Sequence, residues 1–256
     1  MWIERVGDGP PLVMVHGWAM HGGIFQPLRD ALAQHFSLHV VDLPGHGASP
    51  ASDGPLDLRA TAVRIAETVP GAIWLGWSLG GLLALEAALE RPLHLRGLIL
   101  IAASPRFVVA PDWPHAVDAS VFEAFGDTLG RDWRGTLDRF LALECHGSDR
   151  ARAELRELRA QVFARGEPAV HVLEDGLRIL AESDLRDALP QITLPALWIA
   201  GARDRLVPVQ AMQAAAARMP RGTFVAIEGG GHAPFIGHSR HVLHAIDQWL
   251  TRNFHP

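Results

Sequence analysis

The sequence predicts an α/β fold, a mostly parallel, doubly wound sheet with an inserted α-helical segment, and three observations carry that reading. Short apolar runs at 12–15, 72–75, 97–101 and 196–200 recur between amphipathic stretches. Strands that are apolar on both faces belong to parallel sheets covered by helices. From 105 to about 190 this alternation stops, and helical patterns follow one another without a strand. A Gly-x-Ser-x-Gly pentapeptide, Gly76-Trp77-Ser78-Leu79-Gly80, closes one apolar run and opens a helical stretch. That context puts a serine on a sharp strand-to-helix turn with its hydroxyl exposed above the sheet.

Each element has its own signal. Residues 2–6 alternate like an exposed strand, and 12–15 read as a buried one ending at His16-Gly17-Trp18. A helix over 24–35 presents Ile24, Phe25, Leu28 and Leu32 on one face, and 38–41 is the next strand. The loop from Asp42 to Ser49 is punctuated by proline and glycine, and 56–69 is amphipathic. After the pentapeptide strand and its helix comes the strand 96–102. Helices over 117–130, 133–146, 149–165 and 169–182 then form a cap, so the core domain comprises 1–104 and 191–256 and the cap 105–190. The sheet resumes at 196–200, a helix spans 208–218, the last strand is 223–227, and a helix over 238–252 closes the chain.

Composition excludes several function classes. The 256 residues are 48% hydrophobic and 20% charged, enough to bury a core and too apolar for disorder. No apolar run is long enough to span a bilayer, and the first residues lack a signal-peptide pattern, so a soluble cytoplasmic protein is expected, as a monomer. A net charge of −5 argues against a nucleic-acid binder. The single cysteine, Cys145, rules out an intramolecular disulfide and a cysteine-based zinc site. Neither a metal-ligand cluster nor a phosphate-binding glycine loop is evident, and no cofactor is expected.

Three residues point to nucleophilic catalysis. A serine hydroxyl attacks carbonyls only when an imidazole takes its proton, and the imidazole needs a carboxylate to fix its tautomer. Ser78, Asp204 and His232 each follow a separate predicted strand, in the chain order serine, acid, histidine, which is the order of α/β-hydrolases. Asp184 and Asp187 are rival acids, but they sit at the cap exit. The backbone N–H groups of Trp18 and Leu79 are placed to hold an oxyanion. His16 reads as a structural histidine. A lid over such a site faces the substrate with apolar side chains, which singles out Phe140, Leu141, Ala142, Leu143 and Glu144 as its lining.

With these motifs in place, the sequence resembles an α/β-hydrolase over essentially its whole length. More narrowly, it is similar to the pimeloyl-acyl carrier protein methyl ester esterase family of biotin synthesis. The narrower likeness rests on Leu12-Val13-Met14-Val15-His16-Gly17-Trp18, Val41-Asp42-Leu43-Pro44-Gly45, Ile73-Trp74-Leu75-Gly76-Trp77-Ser78-Leu79-Gly80-Gly81, Arg139-Phe140-Leu141-Ala142-Leu143 and His232-Ala233-Pro234-Phe235-Ile236. It implies a catalytic Ser78, Asp204 and His232, carbonyl binding at Trp18 and Leu79, an acyl channel along 140–144, and an acyl carrier protein as partner. Glu144 and Cys145 stand where the family pattern has neutral, less reactive side chains. For an acidic carrier, the stretch 131–165 is suited by its charge, net +2 against −7 for the remainder. Arg152, Arg156 and Arg159 share one predicted helix face there, and Arg134 and Arg139 extend the patch. Other readings are a general short-chain or aromatic carboxylesterase, a C–C bond hydrolase, or a catalytically idle receptor on the same fold.

Overall fold

A computed structural model describes residues 1–51 and 54–254. Ser52, Asp53, His255 and Pro256, which the sequence reading assigns to the core domain, lie outside the described residues. The strands β1 (Trp2–Val6), β2 (Pro11–Val15), β3 (Ser37–Asp42), β4 (Ala72–Trp77), β5 (Leu95–Ile101), β6 (Ala196–Gly201) and β7 (Gly222–Ile227) form one sheet in the order β1-β3-β2-β4-β5-β6-β7. Only the β1–β3 pair is antiparallel. Every residue of β4 and β6 is buried, as their unbroken apolar sequences require.

The helices are α1 (Gln26–Leu32), α2 (Leu58–Thr68), α3 (Leu79–Glu90), α4 (Ala119–Leu129), α5 (Trp133–Cys145), α6 (Ala151–Gln161), α7 (Val170–Glu182), α8 (Val209–Arg218), α9 (Pro234–Gly237) and α10 (Ser239–Phe254). The crossover from β2 to β3 runs one way along the sheet and that from β3 to β4 runs back. Right-handed connections therefore place α1 and α2 on opposite faces. The reversal leaves β2 and β4 side by side, and a crevice opens at their carboxyl ends where ligands bind in such sheets. Among the described residues no helix is long and apolar enough to cross a membrane.

Two predicted helices are shorter than the periodicity suggests. Over 24–35, a 3₁₀ turn at Gly22–Phe25 precedes α1, because Pro27 has no N–H and fits only in a first helical turn. Helix α6 ends at Gln161 rather than 165, which frees Arg165 to pair with Glu4 at 2.7 Å and the buried Asp42 at 3.3 Å. Helices α4 to α7 all lie between β5 and β6, and their buried side chains join the same hydrophobic cluster as the sheet. Contacts from Leu173, Glu144 and Ala169 to the loops after β2, β7 and β3 seat this segment over the carboxyl edge.

Candidate active site

Ser78 sits at the tip of a strained turn. Its φ of 54° and ψ of −116° are unfavourable for a residue with a Cβ, and such strain persists only where the surroundings over-determine it. Here they do. A Cβ on Gly76 would run into the Gly80 carbonyl, and one on Gly80 into the Val15 carbonyl. The turn therefore packs backbone on backbone where only glycine fits. Helix α3 begins at Leu79, and the first N–H groups of a helix lack intrahelical acceptors and carry partial positive charge. A Cβ on Gly17 would lie 3.2 Å from the Ser78 Cβ, so the loop bearing Trp18 passes directly against the serine.

The histidine and the acid arrive from the neighbouring strand ends. The Ser78 hydroxyl donates to His232 Nε2 at 2.8 Å, and His232 Nδ1–H donates to Asp204 Oδ2 at 2.8 Å. The other oxygen, Asp204 Oδ1, accepts the backbone N–H groups of Leu206 and Val207 at 2.8 and 3.0 Å. All three side chains are buried. Burial opposes a charged imidazole, but the Asp204 charge and hydrogen bond outweigh it and raise the His232 pKa above the ordinary 6.5. Trp77 fixes the histidine loop by donating from Nε1 to the His232 carbonyl at 2.8 Å. Sequence reasoning did not assign that role, although the tryptophan's place beside the serine was a usable signal.

The rival acids lie elsewhere. Asp184 is paired with Arg186 and Arg106, and the Arg186 hydrogen bond leads in lowering its pKa to about 2. Asp187 is exposed in a 3₁₀ turn. His16 donates from Nδ1 to the Gly17 carbonyl at 2.8 Å and accepts the Leu43 N–H at Nε2 at 3.0 Å. Burial holds its pKa well below 6.5, so it is a neutral clamp for two loops.

Above the serine, Trp18 donates to the Leu173 carbonyl of α7 at 2.8 Å and meets Phe140 of α5 edge-on, ring centroids 4.6 Å apart. The five residues expected to line the channel are not brought together, because consecutive helical residues cannot share a face. Phe140, Leu141 and Glu144 are buried and Leu143 is half-buried. Ala142 is exposed, on the outer side of α5 with Asp138 and Arg139. The Glu144 carbonyl accepts the His232 N–H at 3.1 Å. Its carboxyl oxygens are buried without a hydrogen-bond partner, Oε1 lying 4.0 Å from His232 Nε2. Burial raises that carboxyl's pKa to about 8. Burial likewise lifts the Cys145 thiol to about 12, leaving it unreactive.

The arginine patch is less charged than its sequence suggests. Arg159 forms a two-pronged pair with Asp138 at 2.6 and 2.8 Å. Arg134 pairs with Glu167 and stacks on Trp133, and Arg139 lies 3.6 Å from Asp132. Among the described residues, only Arg152 and Arg156 of this group are exposed without an ion pair. No three His, Cys, Asp or Glu side chains among the described residues are placed to hold a metal ion.

Residues 10–239 match the model of the alpha/beta hydrolase fold family. The chain is 55% identical over 251 residues to the pimeloyl-[acyl-carrier protein] methyl ester esterase of Xanthomonas campestris pv. campestris (strain B100), covering 98% of this chain and 99% of that one. It is 53% identical to the protein of the same name from Stenotrophomonas maltophilia (strain K279a), covering 98% and 96%. Among solved structures, an esterase from Exiguobacterium antarcticum superposes with a TM-score of 0.86 at 22% identity, covering 97% of this chain and 94% of that one. A bromoperoxidase from Bacillus anthracis reaches 0.88 at 21%, covering 97% and 94%. These two establish likeness of fold alone. The chain belongs to the α/β-hydrolase family and, within it, to the family of pimeloyl-[acyl-carrier protein] methyl ester esterases.

Proposed function

We propose that the protein is a serine carboxylesterase that cleaves the methyl ester of a pimeloyl chain carried on acyl carrier protein, releasing methanol. The observation that carries the chemistry is the Ser78–His232–Asp204 relay at 2.8 and 2.8 Å. The substrate is supported by the activity for which relatives at 55% and 53% identity are named. In this reading the Ser78 oxygen attacks the ester carbonyl while its proton passes to His232 Nε2. The N–H groups of Trp18 and Leu79 hold the oxyanion. The same proton goes to the departing methoxide, and water hydrolyses the acyl-enzyme by the reverse sequence. The insertion 105–190 is the cap, and its α6 face docks the carrier through Arg152 and Arg156.

Methanol release from the carrier-linked methyl ester tests this directly, alongside a small free methyl ester. Arg152→Glu with Arg156→Glu is expected to lower kcat/KM on the carrier-linked ester roughly tenfold at low salt, by weakened electrostatic encounter. The deficit should shrink as salt shortens the screening length. The free ester should be hardly affected. Equal losses on both substrates would remove the docking face, and hydrolysis of free esters alone would leave a general carboxylesterase.

A further inference from the structure

Glu144 faces the reacting atoms and the relay leaves it unused. It is 1% exposed, neither carboxyl oxygen has a hydrogen-bond partner, and Oε1 stands 4.0 Å from His232 Nε2. A buried polar group without a partner costs stability. A water within an ordinary hydrogen bond of both atoms, about 2.8 Å from each, would subtend an angle of roughly 90°. That is close to the angle between the two O–H bonds of water itself. The backbone tie from the His232 N–H to the Glu144 carbonyl holds the two residues in register.

We propose that Glu144 is a second catalytic group of the ester hydrolysis, one that orients the water attacking the acyl-enzyme, an inference that rests on the serine-esterase reading above. The water's oxygen forms the new bond to the acyl carbon. One of its protons passes to His232 Nε2, and its other O–H is accepted by a Glu144 oxygen. The carbonyl electron pair moves onto the oxygen held by the two backbone N–H groups. As it returns, the bond to Ser78 Oγ breaks and the proton on Nε2 goes to Oγ. Glu144 keeps its own proton throughout. Burial favours the neutral acid, the His232 charge opposes it, and the Asp204 charge adds to it. His232 and Asp204 face it across the site, Cys145 adjoins it on α5, and Glu154 of α6 shares Gly231 as a neighbour. No arginine is paired with it among the described residues. Burial accordingly pushes its pKa to about 8.

The test follows a p-nitrophenyl ester by stopped flow, with intact-protein mass reporting the acyl group on Ser78. E144L should release the first equivalent of nitrophenol at close to the wild-type rate. It should then turn over roughly tenfold to a hundredfold more slowly, the effect of one lost transition-state hydrogen bond, so acyl-enzyme accumulates. E144Q should lose less than E144L, because its amide oxygen still accepts from the water. The pH profile separates this from a packing role. Wild-type turnover should show a limb as pH rises through about 8, where Glu144 loses its proton and becomes a stronger, charge-assisted acceptor for the water, and E144Q should lack that limb. Unchanged turnover in E144L, equal slowing of acylation and turnover, or a high-pH limb surviving in E144Q would each overturn the proposal. Failure of the underlying reading looks different: wild-type protein would then never carry an acyl group on Ser78.

Discussion

Two buried clusters in this molecule hold the same residue types. Asp204, His232 and Ser78 meet above β4, β6 and β7, whereas Asp42, Ser49 and the histidines 16, 21 and 46 meet beside β3. In the first, one carboxylate oxygen takes two backbone N–H groups and the other takes the imidazole. In the second, the Asp42 oxygens take the Gly22 and Ala48 N–H groups at 2.7 and 2.9 Å and the Arg165 guanidinium, with none left for a histidine. Ser49 donates to the Asp42 backbone carbonyl, and His46 donates to the Pro44 carbonyl at 3.0 Å. Composition is shared, and connectivity differs. Only the first cluster has an imidazole with a carboxylate behind it and a hydroxyl in front, and only its serine stands at positive φ.

Paired substitutions give the sharpest contrast. Ser78→Ala should cut ester hydrolysis by about 10⁴-fold or more, since removing a nucleophile disables the whole relay. Its thermal midpoint should move little. Ser49→Ala should keep kcat within about threefold and lower stability by about 1 kcal/mol, the net worth of a buried hydrogen bond. Steady-state kinetics and thermal melts on both variants decide it. A Ser49 variant as dead as the Ser78 one would dissolve the distinction.

The acids come next. Asp204→Asn should lower kcat by roughly 10³- to 10⁴-fold with the fold intact, because the amide presents the histidine with the wrong tautomer. Asp42→Asn leaves one buried N–H facing an NH₂ group and strips Arg165 of a partner. It should cost about 2 kcal/mol, or roughly 4–8 °C in midpoint for a domain of this size. Activity should be nearly unchanged at temperatures where the variant stays folded. A larger catalytic loss from Asp42→Asn would mean that the structural cluster also shapes the site.

Most of this contrast was legible in the sequence, because the signals are covalent neighbours. Apolar runs of four or five residues with glycine at their ends mark β2, β4 and β6, and the residues just past those ends are Trp18, Ser78 and Asp204. The four helices over the site start within two residues of their predicted positions. What escaped depends on partners far along the chain. Nothing around Arg159 announces Asp138 on another helix, and Arg134 gives no hint of Glu167, so a face that reads as cationic is largely paired. A stretch of five lining residues likewise ignores that a helix turns 100° per residue, which sends Ala142 outward and Glu144 to the histidine. Arg165, drawn out of its helical pattern by Glu4 and Asp42, is the same lesson in the backbone.

Acid separates the two clusters by the sign of their pKa shifts. Burial pushes the His46 pKa down to about 4 and His16 well below 6.5. Each is neutral in the fold and protonated more readily when unfolded, so its stabilisation is present above pH 6.5 and lost as pH falls toward the folded value. For His46 this amounts to about 3 kcal/mol between pH 6.5 and 4. His232 has the opposite sign. Its pKa is raised, so the stability it adds is complete below 6.5 and lost as pH rises through the folded value. As the proposed base it must be neutral, and kcat/KM should therefore fall on acidification at a pH above 6.5, before the fold weakens. Denaturant midpoints and kcat/KM measured together from pH 8 to pH 4 should show activity leaving first and stability following. His46→Asn, which keeps a donor to the Pro44 carbonyl without a titrating ring, should flatten the stability profile below pH 6.5 and leave the activity limb in place. Joint movement of both limbs would mean that the two clusters titrate as one.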